Sequence, residues 1–107
     1  MDKPLLFGIT LQVYLMIAKR TLNSPVKSLA IQQQLGISGV LVRKCISELR
    51  VVHKKPICSG SRGYYFAQTK EQWERTKAQL LSRARELRKA ANGPDEFFYD
   101  GVQGKMF

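Results

Sequence analysis

VKSLAIQQQLGISGVLVRKCISELRVVHKKPICSGSRGYYFA, Val26 to Ala67, is the stretch that decides the fold. Its apolar spacing predicts a short helix from Ser28 to Leu35 and a second from Gly39 to about His53. Between them stands Gly36-Ile37-Ser38. The glycine can take the positive φ that ends one helix and redirects the chain, and Ser38 can cap the next. On the second helix Val42, Cys45, Ile46 and Leu49, preceded by Ile37, share one face and are expected to be buried. Arg43, Lys44, Ser47 and Arg50 fall on the opposite face. A strand follows from Pro56 to Ser59, then a turn at Gly60-Ser61-Arg62-Gly63 and a second strand from Tyr64 to Ala67. The fold class expected is mostly α with a small β-hairpin, an α+β chain.

Working outward, Leu11, Tyr14, Leu15, Ala18 and Leu22 recur at helical spacing. They predict a first core helix over 9–21 with Thr10 as its cap, broken at Asn23-Ser24-Pro25. In the hairpin, alternation sends Ile57 inward, and two of Tyr64, Tyr65 and Phe66 should enter the core. Downstream, Thr69 with Gln72 forms a capping-box pattern and opens a long helix that stops at Asn92-Gly93-Pro94. Trp73, Leu80, Ala84 and Leu87 lie on one stripe of it, a candidate seam for a homodimer, while Arg75, Lys77, Arg83, Arg85, Arg88 and Lys89 cover its other faces. Three segments result: a body over 1–68, the long amphipathic helix over 69–92, and an acidic, aromatic tail over 93–107 expected to be loose. The tail's Phe97, Phe98, Tyr99 and Phe107 mark it as a docking motif for its own body, a second copy or another protein.

The 107 residues suit one domain, burying roughly two-thirds of the unfolded surface. Eighteen Lys and Arg stand against eight Asp and Glu. The bias is uneven: residues 1–92 carry +12 and residues 93–107 carry −2. Such an excess attracts a polyanion, and nucleic acid is the commonest. Leu5 to Ala18 is too short to span a bilayer, and its flanking Lys19-Arg20 is wrong for a signal peptide. No membrane association is expected. Two cysteines in unrelated contexts and one histidine make no zinc site, and reduced thiols suit a cytoplasmic protein. No paired carboxylates, nucleophile with a base, or phosphate-cradling loop is present. Neither an enzyme nor a cofactor is expected.

Ile31, Leu35-Gly36-Ile37-Ser38, Ile46, Leu49-Arg50, Ile57-Cys58-Ser59 and Arg62-Gly63-Tyr64-Tyr65 carry a family resemblance. Over residues 10–68 the chain resembles winged helix-turn-helix domains of the biotin-repressor amino-terminal type and similar small phage or prophage proteins. One position departs from the pattern: Gln32 stands where Ala or Gly is usual, so its side chain must tilt outward or pry the helices apart. The resemblance implies double-stranded DNA as partner and a role in transcription regulation or replication control. The helix over 39–53 would then read the major groove through Ser38, Gly39, Val40, Arg43, Lys44 and Ser47, with Lys54, Lys55 and Arg62 on phosphates. The alternative is a winged-helix interaction or assembly module, working through the long helix and the tail.

Overall fold

The computed structural model describes residues 5–99. The order is α1 (Gly8–Ala18), α2 (Ser28–Leu35), α3 (Gly39–Val51), β1 (Ile57–Gly60), β2 (Gly63–Phe66), α4 (Lys70–Asn92) and α5 (Asp95–Tyr99). The class is α+β, with one two-stranded antiparallel hairpin and a long C-terminal helix. The chain divides into two compact units, one ending at Thr76 and one beginning at Lys77. Among the described residues no helix is long and apolar enough to cross a membrane.

The core of the first unit gathers Val13 and Ile17 of α1, Val26, Ile31 of α2, Val42, Cys45, Ile46 and Leu49 of α3, and Ile57 of β1. Those four α3 positions are the ones the three- and four-residue spacing puts on one face, and Ile37 packs half-buried beside them. Gly36 ends α2 with φ of 66°, and the Ser38 hydroxyl accepts from the Leu41 amide at 3.1 Å, so the chain turns sharply between the two helices.

Two expectations for α1 are corrected. Thr10 is not its cap but lies inside its first turn, only 6% exposed. Its hydroxyl donates to Glu48 Oε1 at 3.3 Å and lies 3.7 Å from the Cys45 sulfur, so α3 satisfies it. The helix stops at Ala18, not Thr21, because the Arg20 amide bonds back to Ile17 and a separate turn closes from Thr21 to Ser24. At the other end of the motif, α3 stops at Val51 before reaching His53. Lys54 has φ of 58°, the one non-glycine in a left-handed conformation among the described residues. That reversal, two residues before Pro56, ends the helix.

The hairpin pairs Ile57 with Phe66, Cys58 with Tyr65, Ser59 with Tyr64 and Gly60 with Gly63, leaving Ser61 and Arg62 as a two-residue turn. Pro56 has no amide to donate, which puts the first strand residue at Ile57. On its far edge β2 is held by the segment before α2. Val26 and Tyr64 exchange two hydrogen bonds of 2.8 Å, and the Phe66 amide donates to the Arg20 carbonyl at 3.1 Å. Tyr64 and Phe66 pack on the core, with Phe66 edge-on to Tyr14 of α1 at 6.2 Å between ring centres. Tyr65 points the other way, yet it is the most buried of the three aromatics. The first turns of α4 account for this. The Cys58 thiol donates to the Gln72 carbonyl at 3.6 Å, and the Ser59 amide donates to the buried Thr76 hydroxyl at 3.3 Å. The hairpin therefore has covered faces on both sides.

The capping box at α4 forms with one shift. Thr69 Oγ1 accepts from the Gln72 amide at 3.2 Å, and Gln72 Oε1 accepts from the amide of Gln68, one residue earlier than the pattern implies, at 2.9 Å. In the second unit α4 runs on to Asn92. Gly93 and Pro94 form a turn, and Asp95–Tyr99 is a short helix, with the Phe97 amide bonded to the Pro94 carbonyl at 3.0 Å. Phe97 and Phe98 meet edge to face at 5.2 Å. Phe107, the last of the tail aromatics, lies outside the described residues.

Candidate nucleic-acid interface

Burying one stripe of α3 leaves the opposite stripe in solvent. Val40 is 54% exposed, and Arg43, Lys44 and Ser47 are exposed with it, at the steps that share a helical face. At the start of this stripe Gly39 has no side chain. A Cβ there would meet the Gln32 amide nitrogen at 3.1 Å and an Arg43 guanidinium nitrogen at 3.6 Å. Gln32 does not pry the helices apart. Its amide donates to the Ser28 hydroxyl at 3.1 Å and lies across Gly39, in room that the glycine leaves. Arg43 folds back toward the same place. Ser38, Gly39, Val40 and Arg43 thus form one low-relief, cationic entry to the helix.

The hairpin turn forms a second group. Arg62 is exposed at its tip and borders two clefts with Lys27, of about 260 Å³ and 390 Å³. Lys27 is the residue that opens α2, where no side chain caps the helix and no acidic residue stands in the first turn. An uncapped start and the positive end of the helix dipole are hospitable to an anion. Lys27 is a cation that the residue pattern did not single out. Its nearness to Arg62 comes from the Val26–Tyr64 pairing, which joins residues far apart in the chain and leaves no local signal. From Lys27 to Gln32 is five residues, about 7 Å along α2. One short helix therefore links the turn group to the α3 entry.

The remaining cations divide. Lys54 is exposed on its left-handed backbone. Lys55 is half-buried, with its ammonium 5.3 Å from the centre of the Tyr14 ring on α1. Arg50 also leaves the outward set. Its Nε donates to the Ile57 carbonyl at 2.9 Å and its guanidinium reaches Ser59 Oγ at 3.4 Å, tying α3 to β1. Glu48, the one acid on α3, has its carboxylate held by Thr10 and, at 3.4 Å, by the His53 ring. Residues 1–76 carry twelve Lys and Arg against four Asp and Glu. Comparison with known proteins finds no matching family model, no similar curated protein and no similar solved structure.

Proposed function

We propose that this chain is a double-stranded DNA-binding protein of the winged helix-turn-helix kind, acting in transcription or replication control. The observation that carries the reading is the uncovered stripe of α3, where small residues precede two exposed cations on the face opposite the core. A stripe of that relief fits the major groove, Arg43 and Lys44 suit guanine edges, and Val40 suits a thymine methyl. Lys27, Lys54 and Arg62 then act on backbone phosphates. Two buried, unpaired thiols fit a reducing compartment such as the cytoplasm.

The test is a titration of duplexes selected from a random pool, set beside unselected duplexes. A good arginine–guanine pair is worth about 1–3 kcal/mol of discrimination. Arg43→Ala is therefore expected to lose roughly tenfold on the selected sequence and little on the unselected one. Arg62→Ala should weaken both alike. Parallel losses for both variants on both pools contradict these roles.

The interaction-module reading has an observation of its own: the exposed second half of α4. A stable complex between protein chains, with duplex binding absent or indifferent to salt, favours that reading.

A further inference from the structure

We infer that a second copy of this chain docks on the C-terminal unit over residues 81–98, each copy's Asp95 and Glu96 meeting the other's Arg85, Arg88 and Lys89. The inference develops the pairing half of the interaction-module reading and does not depend on duplex contacts.

Three observations carry it. First, every described side chain from Leu81 to Phe98 is exposed, including Leu81 at 51%, Leu87 at 64% and Phe97 at 47%. Helices in water draw most of their stability from packing an apolar face, and this one packs none within the unit. Second, α4 repels itself here. Arg85 stands three and four residues before Arg88 and Lys89, and the unit has a single ion pair among the described residues, Lys89 with Glu86 at 3.5 Å. Third, the missing countercharge belongs to the same unit. Residues 77–92 carry five cations and one acid, whereas 93–107 carry three acids and one lysine. Asp95 and Glu96 make no ion pair among the described residues, although Glu96 borders a cleft of about 540 Å³ with Arg85, Arg88 and Lys89.

A surface holding both charges side by side, with only Lys89 ion-paired within its own copy among the described residues, is complementary to itself under a two-fold axis. Ala84, Leu87 and Ala91 follow at three- and four-residue steps, and the two small alanines flank an exposed Leu87 that a second helix can cover. Pairing α4 with α4 alone would set Arg85 and Arg88 against their own kind. Bringing α5 of one copy onto α4 of the other replaces that repulsion with four acids matched to six cations across the pair. Only one side of each helix can face a partner, so fewer than the eighteen residues of 81–98 are covered, below the roughly 20–30 of a standard interface, as suits a weak, concentration-dependent pair.

Sedimentation of the full chain without nucleic acid tests this. The wild type should pass from one to two chains' mass over micromolar concentrations. Asp95→Lys with Glu96→Lys makes the surface predominantly basic, and Arg85→Glu with Arg88→Glu makes it predominantly acidic. Each double variant alone should remain a monomer, and a one-to-one mixture should form a heterodimer, because both contacts across the axis are then restored. Recovery in the mixture also shows that both variants are folded. A wild type that stays monomeric throughout overturns the inference. So do double variants that pair as the wild type does, or a mixture that does not pair. Since no DNA is present, any of these failures leaves the major-groove reading untouched.

Discussion

Gly63 has φ of 133°, and a Cβ added there would come within 2.5 Å of the Val26 carbonyl oxygen. Gly60, its partner across the turn, has nothing within 4 Å of the same position. The two glycines read alike in the sequence, as flanks of a turn. Two things separate them: the positive φ of Gly63 and the Val26 backbone brought in from before α2. Gly63→Ala is expected to cost about 2 kcal/mol or more, since the backbone is unfavourable and the Val26–Tyr64 pairing must open. Gly60→Ala should stay within about 0.5 kcal/mol, and urea denaturation of the two variants checks the difference. Arg43 and Arg50 make a similar pair. Both lie on the polar side of the same helix by spacing, but Arg50 is spent on Ile57 and Ser59, whose position depends on how the hairpin docks. At Tyr65, burial first and then the Cys58 thiol raise the hydroxyl above its ordinary 10.0, while Arg75 pulls it down. The folded state then keeps this proton longer than the unfolded state. The resulting stabilisation is whole below pH 10.0 and drains away as the pH climbs from there through the folded value. Tyr65→Phe should flatten that alkaline loss relative to the wild type, as followed by urea midpoints against pH.

At the scale of elements, α2, the Gly36 turn and α3 were legible because each has a local cause: apolar spacing, a glycine at positive φ, a serine cap. The ends of α1 were not. Thr10 looks like a cap, but a partner 38 residues away holds its hydroxyl inward. The outer face of the hairpin was equally silent, since strand alternation says which side a residue takes and not what covers that side. Thr76 covers it. Its buried hydroxyl is the partner of the Ser59 amide. Thr76→Val preserves shape and removes that acceptor, so the expected cost is about 1–3 kcal/mol for an amide left unsatisfied. Denaturant unfolding gives the magnitude, and accelerated exchange of the Ser59 amide locates it.

For the whole molecule, the sequence made the charge bias plain but not which cations are free to use it. Lys55 is half-buried beside Tyr14 and Arg50 is bonded to β1, while Lys27 borders the hairpin turn. Lys27, Arg43, Lys44, Lys54 and Arg62 remain, all exposed. With Lys27, Lys54 and Arg62 on phosphates and Arg43 and Lys44 on base edges, the affinity for duplex should fall with salt at a log–log slope of about −2.7. A slope near zero removes duplex DNA as the partner.

The two-residue turn has one further consequence. Ser61 and Arg62 lie outside every ladder pairing, bracketed by Gly60 and Gly63 and anchored behind by Val26. Nothing in the scaffold depends on their identity, so the tip works as an interchangeable cartridge. Two codons can re-aim it toward a different surface while the frame that presents it stays as it was.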